Sequence, residues 1–254
     1  MGDDAGRRFL AKMTVNGSVT LPRVVLVTGA AGGLGQGLVA EFARQGWHVA
    51  AGFHQLSPAS ESDSVWPIRL DVTDRKMVVS AVDQILSRWK KIDVLINNAG
   101  LACDRALPQM QEKDWDRVLA VNLTGAFHCA QAVLGPMMAQ QDGHIINISS
   151  YAARAGPRGQ ANYAAAKAAL IGLGQALAKE VGRSNVRVNA VLPGVLSTAM
   201  TAALDEKATT ALATANALGR FNRVAEVARF VAFLATMQDV SGQVFQLDSR
   251  IAPW

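Results

Sequence analysis

The run from Arg23 to Leu38, RVVLVTGAAGGLGQGL, constrains the fold more than any other part of the chain. Its first half is a short β-branched apolar stretch closed by Gly29, which reads as a buried strand. Leu34, Leu38 and Phe42 then recur at intervals of four up to Gly46. That spacing predicts a helix with one apolar face and a glycine stop. Between strand and helix lies the turn Thr28-Gly-Ala-Ala-Gly-Gly-Leu-Gly35. Gly29 permits the tight exit from the strand, Gly33 the close approach of backbone to a pyrophosphate, and Gly35 the packing of helix on sheet. The helix N-terminus adds unpaired N–H groups for the anion. A dinucleotide is the expected ligand, and Gly29, Ala31, Gly32, Gly33, Leu34 and Gly35 are its candidate contacts.

The same alternation continues along the chain. Strands are expected at 47–52, 68–72, 92–100, 144–150, 186–194 and 242–248, and helices at 74–90, 114–140, 162–181 and 223–237. The strands are continuous apolar runs, as when both faces of a sheet are covered. This predicts a doubly wound α/β sheet with right-handed crossovers. No linker interrupts 23–254, so one domain is expected, preceded by a loosely ordered polar arm over 1–22. Half of the 254 residues are apolar, enough for a sizeable core. With 22 glycines and 8 prolines the chain is neither fibrous nor disordered. No apolar run approaches the ~18 residues of a membrane span, and no secretory signal is evident at the start. The net charge of +5 is scattered, which argues against a nucleic-acid partner. Cys103 and Cys129 make neither a disulfide framework nor a metal site, so a reducing, cytoplasmic setting is expected.

The second strand says which dinucleotide. A carboxylate ~20 residues past the glycine turn would hold a ribose 2′-OH. Phe53 stands in that place, and no acid occurs from Trp47 to Ser60. This favours NADP(H) over NAD. No Arg or Lys is found there either, the next base being Arg69. His54, Gln55 or Ser57 remain to meet the 2′-phosphate, or are plain turn residues.

Tyr163-Ala-Ala-Ala-Lys167 places two side chains on one helix face. Tyrosine titrates near 10, and a neighbouring ammonium would lower that value toward neutrality. Ser150 ends the fifth strand, thirteen residues before Tyr163, at the edge where open α/β sheets bind ligands. Its hydroxyl would hold a carbonyl oxygen there. Asn122 sits inside the long helix, where asparagine is unfavourable.

Taken together, TGAAGGLG, Asp71-Val72, Asn97-Asn-Ala-Gly100, Asn122 in AVNLTG, Ser150, Tyr163-Ala-Ala-Ala-Lys167 and Pro193-Gly-Val-Leu-Ser-Thr198 resemble the short-chain dehydrogenase/reductase family over 22–248. The resemblance implies a seven-stranded Rossmann variant. It makes Tyr163 the acid of reduction and base of oxidation, Lys167 its modulator and holder of the nicotinamide ribose, and Ser150 the orienter of the carbonyl. Asn122 would hold a relay water. Asp71 and Val72 would contact adenine, and Asn98, Ala99 and Gly100 the middle of the cofactor. Pro193, Gly194, Leu196 and Thr198 would take its carboxamide end. No metal is implied.

GQANYAAAKAALIG, NLTGAF and AxALGRF are similar to 3-oxoacyl-(acyl-carrier-protein) and acetoacetyl-CoA reductases. The short crossover from Gly52 to Ile68 and the N-terminal arm resemble the NADPH reductases of very-long-chain elongation. The substrate implied is a 3-oxoacyl thioester, with acyl-carrier protein as a possible partner. Packing of 114–140 and 162–182 would give a homotetramer or homodimer. Four departures stand out: Gly32 replaces a common Arg, Ala199 replaces an acid, 137–142 lacks bases, and Asp248-Ser-Arg250 replaces Asp-Gly-Gly. The same chemistry on a steroid, sugar, polyketide or quinone carbonyl remains open, as does a cofactor-binding sensor without turnover. The segment 199–220 is expected to be mobile and to select the substrate.

Overall fold

The computed structural model describes residues 14–15, 18–19, 22–56, 61–198, 201–202 and 205–251. Seven parallel strands form one sheet in the order β5-β4-β3-β6-β7-β8-β9. They are β3 (Val24–Val27), β4 (His48–Phe53), β5 (Val65–Arg69), β6 (Val94–Asn97), β7 (Gly143–Ile148), β8 (Val186–Leu192) and β9 (Val244–Gln246). The chain reverses its direction across the sheet between β3 and β6, which opens a crevice at their C-terminal ends.

Two apolar layers flank the sheet. On one face α1 (Gly33–Arg44) and α8 (Val224–Leu234) bury Leu38, Phe42, Val227 and Val231 against Val25, Val27, Val49 and Ala51. On the other, α2 (Arg75–Trp89) and α4 (Gly125–Gln140) bury Val82, Ile85, Val133 and Met137 against Leu26, Leu95 and Ile145. The long α6 (Ala161–Val181) lies on this second side. Alternate residues of each strand therefore serve opposite layers.

The expected fold class holds, and two local readings are corrected, the long helix and the onset of the third strand. The long helix over Glu112–Gln140 is α3 (Glu112–Leu119) and α4 joined by a π-turn at Ala120–Thr124. There the Gly125 N–H reaches back five residues to Ala120 O. Gly125 also presses on Val72, where a Cβ would come within 2.5 Å of Val72 Cγ2. Within the arm, β1 (Thr14–Val15) and β2 (Ser18–Val19) pair as a small antiparallel hairpin. The segment expected to be mobile contains α7 (Glu206–Thr214), whose first turn is capped by Asp205 Oδ1 accepting from Ala208 N at 2.7 Å. The third strand starts three residues before its expected onset, at Val65, because it pairs from Val65 with Val49 of β4. Ser57, a candidate for the 2′-phosphate, and Ala199, one of the four departures, lie outside the described residues.

Glu112–Gln140 is long and apolar enough to cross a membrane by length and composition. Here its Cys129, Ala130, Val133 and Met137 stripe is packed into the core. Among the described residues, no group of three or more His, Cys, Asp and Glu side chains is placed to hold a metal ion.

At the opposite edge from the crevice, His144 at the start of β7 is fully buried, with Nε2 2.8 Å from Asn189 Nδ2. Burial, reinforced by the nearby Arg187, pushes its value down to about 3. The unfolded chain thus takes up this proton first, near the ordinary 6.5. The stability linked to neutral His144 is complete above that pH and is lost as the pH falls toward 3. Melting curves of the protein and a His144→Gln variant should keep a constant gap above pH 6.5 and lose it below, by up to about 1.4 kcal/mol per pH unit. A gap independent of pH contradicts this.

Candidate active site

The crevice is lined by the exits of β3, β6, β7 and β8. At the exit of β3, Gly29 has φ +64°, and a Cβ there would come within 2.7 Å of Ala99 Cα. Gly35 sits so close to the Gly29–Ala30 backbone that any side chain would displace it. Gly32 occupies the N-cap of α1 and no side chain caps the helix. The first-turn N–H groups are thus left for an anion. Leu34 turns into the core, so it offers backbone only. The reading of Gly33 is amended: the place of its missing Cβ is taken by Thr198, whose Cγ2 would be 2.6 Å away. Gly33 is small for the loop after β8 as much as for a phosphate.

At the exit of β6, Asn98 faces backward. Its Nδ2 donates to Thr28 O at 2.9 Å and Gly29 O at 3.1 Å. It braces the turn, leaving backbone for a ligand, with Ala99 and Gly100 beyond it. Asp71 Oδ1 accepts from Thr73 N at 2.9 Å and Thr73 Oγ1 at 2.7 Å. Burial pushes its carboxyl up, but these bonds and His54, 3.3 Å away, hold it below the usual value. Val72 is buried in the core. Past β8, Pro193 and Gly194 (φ +79°) are tied by Asn222 Nδ2, which donates to Pro193 O at 2.9 Å. Leu196 is buried and bridges to Asn222.

Tyr163, Lys167, Ser150 and Asn122 converge at the centre. Tyr163 shares a hydrogen bond with the Ser150 hydroxyl. The ammonium of Lys167, 3% exposed, donates to Ile148 O at 2.9 Å and lies 5.7 Å from the centre of the phenol ring. A Cβ on Gly100 would stand 2.7 Å from Asn122 Oδ1 and 3.3 Å from Lys167 Nζ, so these two groups face the same small space. Asn122 Nδ2 donates to Val118 O at 2.9 Å and Leu101 O at 2.8 Å. Its Oδ1 is buried and has no partner among the described residues. An orphaned acceptor facing an ammonium fits a water or a ligand hydroxyl.

In the empty site burial dominates both groups. Burial raises the Tyr163 phenol above 10, Ser150 pulls it down and Asp104 raises it again. The Lys167 ammonium is turned to Ile148 O. Burial in turn lowers the Lys167 ammonium to about 8.

Several positioning residues escaped the sequence reading. Asn162 is fully buried, accepts from Tyr163 N at 2.8 Å through Oδ1, and donates to Cys103 O at 3.1 Å. Ser149 Oγ donates to Lys167 O at 2.7 Å. Adjacent serines thus serve the two ends of the Tyr–Lys pair, a signal the sequence contained. Arg69, the next base in the sequence, is placed by the register directly opposite Phe53. By alternation both lie on the α1 face, since Val49, Ala51 and Val65 pack there while Ile68 and Leu70 pack on the other. Arg69 is exposed, with no hydrogen-bond or ion-pair partner among the described residues.

Residues 23–209 match the family model for short chain dehydrogenase. A 3-oxoacyl-(acyl-carrier-protein) reductase FabG of Thermotoga maritima is 42% identical over 239 residues, covering 90% of this chain and 97% of its own. Reductases of the same name from Staphylococcus aureus and Chlamydia trachomatis are 35% and 36% identical over similar spans. Among solved structures, one described as ElxO with NADP bound superposes with a TM-score of 0.84 at 26% identity, over 90% of this chain and 98% of that one.

The buried ammonium carries its own test. Its lowered value means that the fold penalises the charged form at every pH below about 8, and that the penalty fades as the pH rises toward 10.5. Lys167→Met should therefore melt higher at neutral pH, by about 2–4 °C per kcal/mol recovered, while losing turnover. The gap should narrow above pH 8. A variant that melts below the parent at neutral pH contradicts the assignment.

Proposed function

Because this chain belongs to the short-chain dehydrogenase family, we propose that it is an NADP(H)-dependent oxidoreductase that reduces a 3-oxoacyl thioester to the 3-hydroxyacyl thioester in fatty acid or related biosynthesis. The observation that carries this is the convergence of Tyr163, Ser150, Lys167 and Asn122 at the C-terminal sheet edge, in a chain so similar to the reductases named above. Acyl-carrier protein or CoA would present the substrate.

The residues fit the cofactor. The uncapped α1 N-terminus would take the pyrophosphate, with Gly29, Ala31, Gly32, Gly33, Leu34 and Gly35 around it. Asp71 and Val72 would meet the adenine, and Asn98, Ala99 and Gly100 the central part. Pro193, Gly194, Leu196 and Thr198 would meet the nicotinamide end, and Lys167 and Tyr163 its ribose. With no acid at the end of β4, the 2′-phosphate would lie between His54 and Arg69. When bound, NADPH supplies a hydride.

The chain supplies the rest. Ser150 holds the β-carbonyl oxygen by a hydrogen bond, and Tyr163 gives its phenolic proton to that oxygen as the alkoxide forms. In the empty site the phenol's raised value keeps it protonated. Lys167, near 8, readily exchanges a proton at neutral pH. It would reload Tyr163 with the help of a water held by Asn122 Oδ1. The long helices, with Phe127 and Met138 exposed on α4, would pack between subunits of a homodimer or homotetramer. The free thiols of Cys103 and Cys129 agree with a cytoplasmic setting.

NADPH oxidation with acetoacetyl-CoA tests the reading, and absence of turnover contradicts it. Tyr163→Phe should bind NADPH normally and lose ~10²–10⁴-fold or more in kcat; normal turnover removes Tyr163 from its role. Arg69→Ala should weaken NADPH binding about tenfold and leave NADH binding unchanged. Equal effects on the two nucleotides contradict the place given to Arg69.

A further inference from the structure

The chain's C-terminal segment departs from its family's pattern and touches the active-site strand exit. Tyr151 follows Ser150 directly and stands at the N-cap of α5 (Ala152–Ala155). The Arg250 guanidinium carbon lies 3.6 Å from the centre of the Tyr151 ring, a stacked cation–π contact. Arg250 Nε donates to Asp248 Oδ2 at 2.6 Å. The pair is shut off from water, with side chains 10% and 1% exposed. Gln246 Nε2 donates to Asp248 Oδ1 and to Arg250 O, both at 2.8 Å, and its Oε1 accepts from Arg154 Nη1 at 2.9 Å. The tail thus grips α5 at Tyr151 and again at Arg154, one turn on. Asp248 also backs Gly194, where a Cβ would come within 2.6 Å of Asp248 Cβ.

This grip has a consequence for Ser150. A four-residue helix without a side-chain cap is too short to hold itself. Yet α5 sets the serine: Ala152 N donates to Ser150 Oγ at 3.1 Å and Ala153 N to Ser150 O at 3.1 Å. The hydroxyl hydrogen is then left for another acceptor. We propose that Arg250 is a positioning residue for the reduction: stacked on Tyr151 and locked by Asp248, it fixes α5 and thereby aims the Ser150 hydroxyl at the substrate carbonyl. The proposal rests on the role given to Ser150 above.

A double-mutant cycle reads the coupling. Arg250→Ala should lower kcat with acetoacetyl-CoA about 10- to 100-fold, the scale of a misplaced reacting group, with the Kd for NADPH unchanged. In a Ser150→Ala background the same change should cost nothing further. Arg250→Lys, which keeps a cation over the ring, should recover part of the loss. Tyr151→Ala removes the stack from the other side and should behave like Arg250→Ala, so the test survives if either variant folds poorly. Amide hydrogen exchange should quicken over 150–155 in Arg250→Ala and stay unchanged in β7. Equal losses in both serine backgrounds, or a lower melting temperature with kcat per folded molecule intact, overturn the proposal. Full turnover by Ser150→Ala overturns the serine's role and the proposal with it, whereas a crippled Ser150→Ala with additive losses overturns the positioning role alone.

Discussion

A buried lysine whose one hydrogen-bond partner among the described residues is a backbone carbonyl governs the rest of this active site. Lys167 Nζ donates to Ile148 O, and its backbone carbonyl is held in turn by Ser149. An ammonium in such a place costs several kcal/mol of stability unless a ligand or water completes its shell. Gly100 leaves the space for that completion, and the orphaned oxygen of Asn122 faces it. The same burial moves the phenol and the ammonium in opposite directions, one above 10 and the other to about 8. The unliganded site therefore stores a protonated phenol beside an amine that gives up its proton easily. That order is the reverse of the two groups in water.

The fold's contribution is to bring four strand exits to one edge and to stiffen each with side chains that do no chemistry. Asn98 ties the exits of β3 and β6, Asn162 fixes the backbone of Tyr163, and Asn222 ties the exit of β8 to the chain beyond β9. The π-turn does the same for Asn122. Its side-chain amide donates to Val118 O and Leu101 O, so its donors are spent and its acceptor is left for the pocket. Placing reacting groups on such braced elements holds their geometry better than free loops do.

Local pattern was enough to read the sheet, because buried parallel strands are β-branched runs and their helices carry one apolar stripe. The glycine turn and the Tyr163–Lys167 spacing were legible for the same reason: each is a short-range feature with its own chemistry. What escaped was non-local or cancelled in the pattern. An extra residue in a helix leaves the apolar spacing nearly intact, so the π-turn at Asn122 was invisible. The Ala- and Thr-rich α7 has no buried face to announce it. Arg69 reaches Phe53 only through the register of β4 with β5. Spacing on a helix says that two side chains share a face, not which way an ammonium turns, so the bond from Lys167 to Ile148 O was not legible either.

The phenol should become acidic only when the nucleotide is bound and Lys167 is free to turn from Ile148 O toward it. The chain has two tyrosines, Tyr151 and Tyr163. In a Tyr151→Phe background the ultraviolet absorbance of tyrosinate reports Tyr163 alone. Titrated free and saturated with NADP⁺, this protein should show a phenol above 10 when empty and at least ~2 units lower when loaded. An empty-state value already near neutrality, or no change on loading, would contradict the account.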